Sequence, residues 1–166
     1  QGSSLDAFAY CHYKRIGVDR LSLPDAWSLE ESGADDLRAF GHFYRNESGG
    51  LLLDALDFMP ETMDISELTK EYATLGFRRE RFIFSLKMAG RTHALIVANL
   101  ADIGLNLSEL TSAVKVFILE TGQISKEILN RALHHIAELY KIEDVPVLIF
   151  PGDVAEKLSY PVEKFY

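Results

Sequence analysis

The chain has 166 residues, 48% of them hydrophobic, and carries 25 acidic against 17 basic side chains for a formal net charge of −8. One domain of that length buries roughly 70% of its unfolded surface without a disulfide or metal staple, and the single cysteine, Cys11, rules out an internal bridge. The acidic balance argues against a nucleic-acid partner, whose phosphates call for a concentrated cationic face.

The remaining gross features point to a cytoplasmic setting. No apolar run approaches the roughly 20 residues that cross a bilayer, no charged-then-apolar leader opens the chain, and a lone cysteine fits a reducing compartment. The basic clusters, Lys14 with Arg15 and Arg78, Arg79 with Arg81, read as solvated strand edges.

In chain order, residues 8–15 read as an N-terminal strand, followed by a turn-rich connection through Pro24. Trp27, Leu29 and Glu31 share one parity of a short strand. Residues 32–35 then supply a cap and an early carboxylate, Asp35, for a helix whose inward stripe is Leu37, Phe40, Gly41 and Tyr44. Residues 46–50 interrupt that helix, and residues 51–56 predict a short second one ending before Pro60. A further helix starts from Asp64 or Ser66, turns Leu68, Tyr72 and Leu75 inward, and stops at Gly76, where a left-handed residue is wanted.

The stretch from 80 to 120 holds the centre of the fold. Phe82, Phe84, Leu86 and Met88 alternate with Ile83, Ser85 and Lys87, and after Ala89-Gly90-Arg91 a second apolar run covers 94–100, which is a hairpin signal. A loop over 101–111 leads to residues 113–119, rich in Val, Ile and Phe, as a fully buried strand would be. A polar turn at 121–125 precedes the best helix of the chain, 126–141, with Ile128, Leu129, Ala132, Leu133, Ile136, Ala137 and Tyr140 at helical spacing. Another strand follows at 146–150. Strand, helix, strand favours a parallel crossover, so the fold class is mixed α/β. Residues 151–153 turn into a short helix through Lys157, Tyr160-Pro161 breaks it, and residues 162–166 begin a last strand.

That element order resembles the GNAT acyltransferase fold, a mixed central sheet with helices on both faces. Trp27-Ser28-Leu29-Glu30-Glu31 followed by Asp35-Asp36-Leu37 looks like the first strand and helix start of such proteins, and the hairpin at Gly90-Arg91 looks like their middle strands. Ser48-Gly49-Gly50-Leu51 and the 104–110 stretch are similar to phrases of GNAT-like domains in larger bacterial proteins. On this resemblance, residues 1–24 are an N-terminal strand and connection at the end of a linker, and residues 25–166 are the GNAT-like domain.

The resemblance implies an N-acyltransferase taking its acyl group from acetyl-CoA or another acyl-CoA and giving it to a small-molecule or peptide amine. It implies that the pantetheine meets the backbone of Phe117, Ile118 and Leu119, and that the pyrophosphate meets Thr121, Gly122, Gln123, Ser125 and Lys126 at a helix start, where backbone N–H groups lack partners. The usual loop of the family, Arg or Gln followed by x-x-Gly-x-Gly or Ala, is absent; Gly122 alone remains, with the Glu120 carboxylate beside it. Acyl transfer needs a base for the amine and an acid for the thiolate, roles that fall to Glu120, acting through water, and Tyr160. Asn99, Asp102 and Asn106 would line the acceptor site, although turn chemistry also explains such residues.

Other readings stay open. A non-catalytic GNAT-like module, serving regulation or docking among other domains of a longer chain, accounts for the missing phosphate loop. A cyclic-dinucleotide-binding PilZ domain finds only a partial match in Arg78, Arg79, Arg81 and residues 106–111. His134 and His135 point about 100° apart and are expected on the surface, and no metal-ligand spacing, nucleophile elbow or Walker loop is present.

Overall fold

A computed structural model of the chain describes residues 7–15, 22–46, 66–101 and 113–166. In order these form β1 (Ala9–Lys14), β2 (Trp27–Glu31), α1 (Ala34–Asn46), α2 (Ser66–Thr74), β3 (Arg79–Met88), β4 (Arg91–Ala101), β5 (Val114–Ile118), α3 (Lys126–Tyr140), β6 (Asp144–Phe150), α4 (Gly152–Lys157) and β7 (Lys164–Phe165). The strands make one open sheet in the order β2-β3-β4-β5-β6-β1-β7. The predicted helix at 51–56 lies outside the described residues.

The β5 and β6 strands run parallel, with Val114 opposite Val147 and Phe117 opposite Phe150, while every other described pair is antiparallel. The predicted crossover is therefore present, with α3 as its connection. Ser125 starts α3, its side chain accepting from the Ile128 N–H, and Lys141 ends it at φ 55° with its N–H on the Ala137 and Glu138 carbonyls.

Alternation along the strands sorts the core onto both faces. Ala94, Ile96, Val114, Val116, Val147 and Ile149 face α3 and meet Leu129, Leu133 and Ile136. Leu95, Val97, Phe117, Leu148 and Phe150 face the other way, toward Phe40 and Phe43 of α1. All five β5 residues are buried, which explains the unbroken apolar run apart from Lys115. The β3/β4 hairpin turns through Ala89 and Gly90, both at positive φ, the two-residue geometry whose twist suits adjoining strands.

Two expectations need correction. Leu75 does not point inward: α2 ends at Thr74, and Leu75 is 71% exposed in the following turn. His134 is not a surface residue; it is buried against β1, its Nδ1 3.1 Å from the Tyr13 hydroxyl, while His135 is exposed. The strand β1 itself lies inside the sheet between β6 and β7 and feeds both cores through Cys11 and Tyr10.

The start of α1 is fastened by a buried carboxylate. Asp36 reaches back to accept from the Gly33 N–H at 2.8 Å and also takes the Thr92 hydroxyl at 2.5 Å, with the Lys87 ammonium at 3.3 Å. Burial alone would raise its pKa, but the hydrogen bonds from Thr92, Gly33, Ser85 and Lys87 outweigh it and hold the carboxyl below its ordinary value. The unfolded chain thus takes up this proton first as pH falls, so the contribution is complete above the ordinary carboxyl range and lost through it and below. Asp36→Ala should lower the unfolding free energy by roughly 3 kcal/mol in urea titrations, since several donors lose their common acceptor. The variant should also lose less stability than the wild type on acidification.

Candidate functional site

The β5/β6 ladder ends at Phe117 opposite Phe150, and beyond it the chains part. β5 continues through Ile118 to Leu119, whose N–H, like that of Glu120, donates to the His93 carbonyl of β4. β6 instead passes into α4. The parting leaves a cleft of about 190 Å³ with Ile118, Leu119 and Thr121 on the β5 side. Phe43 of α1 closes one wall, and Pro151, Asp153, Val154 and Lys157 form the α4 side. In open α/β sheets the carboxyl ends of parallel strands are where ligands collect, because side chains and loops converge there.

The residues expected around the cofactor divide between core and surface. Phe117 and Ile118 are fully buried, and Phe117 is paired on both edges, with Leu95 and with Phe150. Leu119 and Thr121 reach the cleft; Gly122, Gln123, Ser125 and Lys126 lie on the exposed turn entering α3. Lys126 directs its ammonium to the Ser159 carbonyl at 3.0 Å, 5.3 Å above the Tyr160 ring. A Cβ at Gly122 would meet nothing within 4 Å, so this glycine is not required by packing.

Glu120 follows the end of β5 and lies against the start of β4. Arg91 binds one carboxylate oxygen through its Nε at 2.6 Å, and the other oxygen lies 3.8 Å from Nδ1 of buried His93. His93 is the extra residue of a bulge, since Ala94 pairs with Leu86 and Thr92 with Lys87. Its ring lies edge-on to Trp27 at 5.2 Å.

Tyr160 is buried under the first turn of α3, where its hydroxyl donates to Asn130 Oδ1 at 2.6 Å. Burial, with Cys11 and Tyr13 nearby, pushes its pKa well above the usual tyrosine value. The structure thus places Glu120 beside His93 and Tyr160 beneath α3, and neither lines the cleft. Asn99 lies at the far end of β4, holding Arg81 Nε at 2.9 Å. Asp102 and Asn106 lie outside the described residues.

Sequence reasoning passed over three chemically capable groups. Lys115 interrupts the apolar run of β5 and is buried, and burial with Arg81 nearby lowers its pKa to about 7. A charged residue inside such a run was the available signal. Asp153 and Lys157 stand one turn apart on α4 and pair at 2.7 Å. Their i, i+4 spacing was readable, whereas their place on the cleft was not.

Among the described residues no group of three or more His, Cys, Asp or Glu side chains could hold a metal ion, and no helix is long and apolar enough to cross a membrane. Comparison with protein-family models finds none that matches the chain, and comparison with curated proteins finds no match.

Cys11 is buried on the α3 side of β1, and burial raises its pKa to about 12. The thiol therefore stays protonated and shielded at working pH. A disulfide reagent at pH 8 should label no thiol in the native protein and one in urea; rapid native labelling would show that β1 opens locally.

Proposed function

We propose that the chain is a GNAT-like domain that holds the thioester end of an acyl-CoA where β5 and β6 part, with acyl transfer to an amine as its reaction class. The observation that carries this reading is the β5-α3-β6 unit, the one parallel pair among the described strands, with a cleft at its carboxyl ends. In such a transfer the amine nitrogen bonds to the thioester carbonyl carbon, the C–S bond breaks, and the proton lost by the nitrogen ends on the departing sulfur. Small-molecule sites commonly enclose about 300–1,000 Å³. A cleft of about 190 Å³ suits the acyl end of the arm and leaves the nucleotide outside. The turn into α3 directly follows Thr121 of the cleft and offers helix-start N–H groups suited to phosphate.

A second reading has its own observation. The two groups expected to move protons are engaged within the protein, Glu120 with Arg91 and Tyr160 with Asn130. That engagement supports a GNAT-like module that docks or regulates without catalysing transfer.

The experiment is a thermal-shift series with acetyl-CoA and longer acyl-CoAs. A ligand at a hundredfold excess over its Kd should stabilise the fold by about 2.7 kcal/mol. Gly122→Val should unfold at the wild-type temperature and lose that shift, because open space surrounds the glycine while a branched side chain blocks a phosphate at the turn. A flat response across all chain lengths removes the cofactor, and a shift retained in Gly122→Val moves the phosphate site elsewhere. Binding without thiol release from any amine mixture selects the non-catalytic module.

A further inference from the structure

We propose that a second pocket, at the end of the sheet opposite the cleft, is a binding site for a planar guanidinium group. It lies on the α3 side of β2, β3 and β4 and has a volume of about 380 Å³, within the range usual for small-molecule sites. Strand register builds its floor. Glu31, at the end of β2, stands opposite Phe84 of β3, and Phe82 stands opposite Ala98 of β4, whose small side chain leaves room above the sheet. His135 and Leu139, from the last turns of α3, form the facing wall. The cleft lies at the carboxyl end of β5, whereas this pocket lies beside the last residues of antiparallel β4, and the two share no lining residue. Its ligand is therefore distinct from the acyl donor and acceptor of the reading above.

The charges around the pocket are unequally matched. Arg78 is held by Glu80, which accepts from its Nε at 3.1 Å and its Nη2 at 3.0 Å. The Glu31 side chain, exposed at the rim, has no hydrogen bond or ion pair among the described residues. The uncompensated charge is negative, so the ligand that suits it is a cation. The walls decide which cation. Phe82 and Phe84 hold their rings 15° from parallel at 6.5 Å, and the His135 ring stands at 89° to Phe84 at 6.2 Å. Aromatic surroundings attract cations, and they favour a guanidinium over an ammonium because the guanidinium is flat, delocalised and more weakly hydrated. Its paired N–H groups also match the two oxygens of a carboxylate such as Glu31. Leu139, 51% exposed, offers an apolar surface to the alkyl stem that carries such a group. A free guanidino compound and the side chain of an arginine in a peptide share this chemistry.

The test uses the whole chain and four probes: n-butylguanidine for a free guanidino compound, acetyl-Gly-Arg-Gly amide for a peptide arginine, n-butylurea as the flat uncharged control and n-butylamine as the compact cation. Titrations followed by NMR shifts of the Glu31, Phe84 and His135 amides should show saturable binding of a guanidinium probe, at least tenfold tighter than butylurea and several-fold tighter than butylamine. The tighter of the two guanidinium probes identifies the source, free or peptide-borne. Glu31→Gln, at an exposed strand end, should unfold at the wild-type temperature and weaken the guanidinium at least tenfold. Glu30→Gln is the control: Glu30 lies on the opposite face of the sheet, paired with Lys87, and its loss should leave the affinity unchanged. A general attraction of cations to an acidic chain predicts equal losses in the two variants. Absence of saturation, equal binding of butylurea or butylamine, an unchanged affinity in Glu31→Gln, or an equal loss in Glu30→Gln overturns the site.

Discussion

The constraint on which the structure depends is the position of β5. It is hydrogen-bonded on both edges, to β4 and to β6, and covered on both faces, by α3 on one side and α1 on the other. A strand in that position must be apolar at every residue or satisfy whatever polar group it carries. Its parallel pairing with β6 in turn requires a crossover, and α3 supplies one whose buried stripe matches the sheet face it returns across. The rest of the sheet builds outward from this pair by antiparallel additions, ending in β2 at one edge and the two-residue β7 at the other. A short final edge strand limits unwanted pairing with other chains.

Those elements were legible because period and burial agree in them. The hairpin, β5, α3 and β6 are dominated by contacts that repeat every two or every 3.6 residues, and repetition survives in a bare sequence. Departures arise where one residue breaks the repeat. The bulge at His93 adds a residue to β4 with no turn-former to announce it, and it brings the ring under Trp27. The two adjacent histidines of α3 illustrate the same limit. Both looked polar enough for solvent, but 100° of rotation puts His134 against Tyr13 and leaves His135 outside. Only the location of β1 decides between them, and β1 is more than a hundred residues away in the chain. Its insertion between β6 and β7 cannot be read from its own sequence, since an interior strand and a short amphipathic linker strand share that pattern.

Charge is distributed by the same logic. Asp36 is buried in the first turn of α1 and is matched by donors from the helix start, β3 and β4, so it fastens a helix to a sheet rather than facing a ligand. Its neighbour Asp35, the carboxylate expected to serve the helix start, points to solvent and pairs with Arg38. Glu120 is comparable: an acidic residue at a strand end suggests a base, but Arg91 two residues before the bulge meets it. The Glu120 carboxylate is engaged within the protein and does not line the cleft.

The cleft arises from unequal strand ends. The β6 chain leaves the ladder at Phe150, while β5 runs on until the His93 carbonyl takes its last N–H groups. Because both cores terminate there, the walls are apolar, and the polar character comes from Thr121 and from two side chains on α4. A six-residue helix is too short to show a periodic pattern of its own. Its charged residues therefore carry no signal of their place, yet Asp153 and Lys157 both line the crevice. The crevice is lined in part by the least patterned segment of the chain, positioned by the most patterned one, which is how α/β sheets retain a common frame while the groups at their carboxyl ends vary.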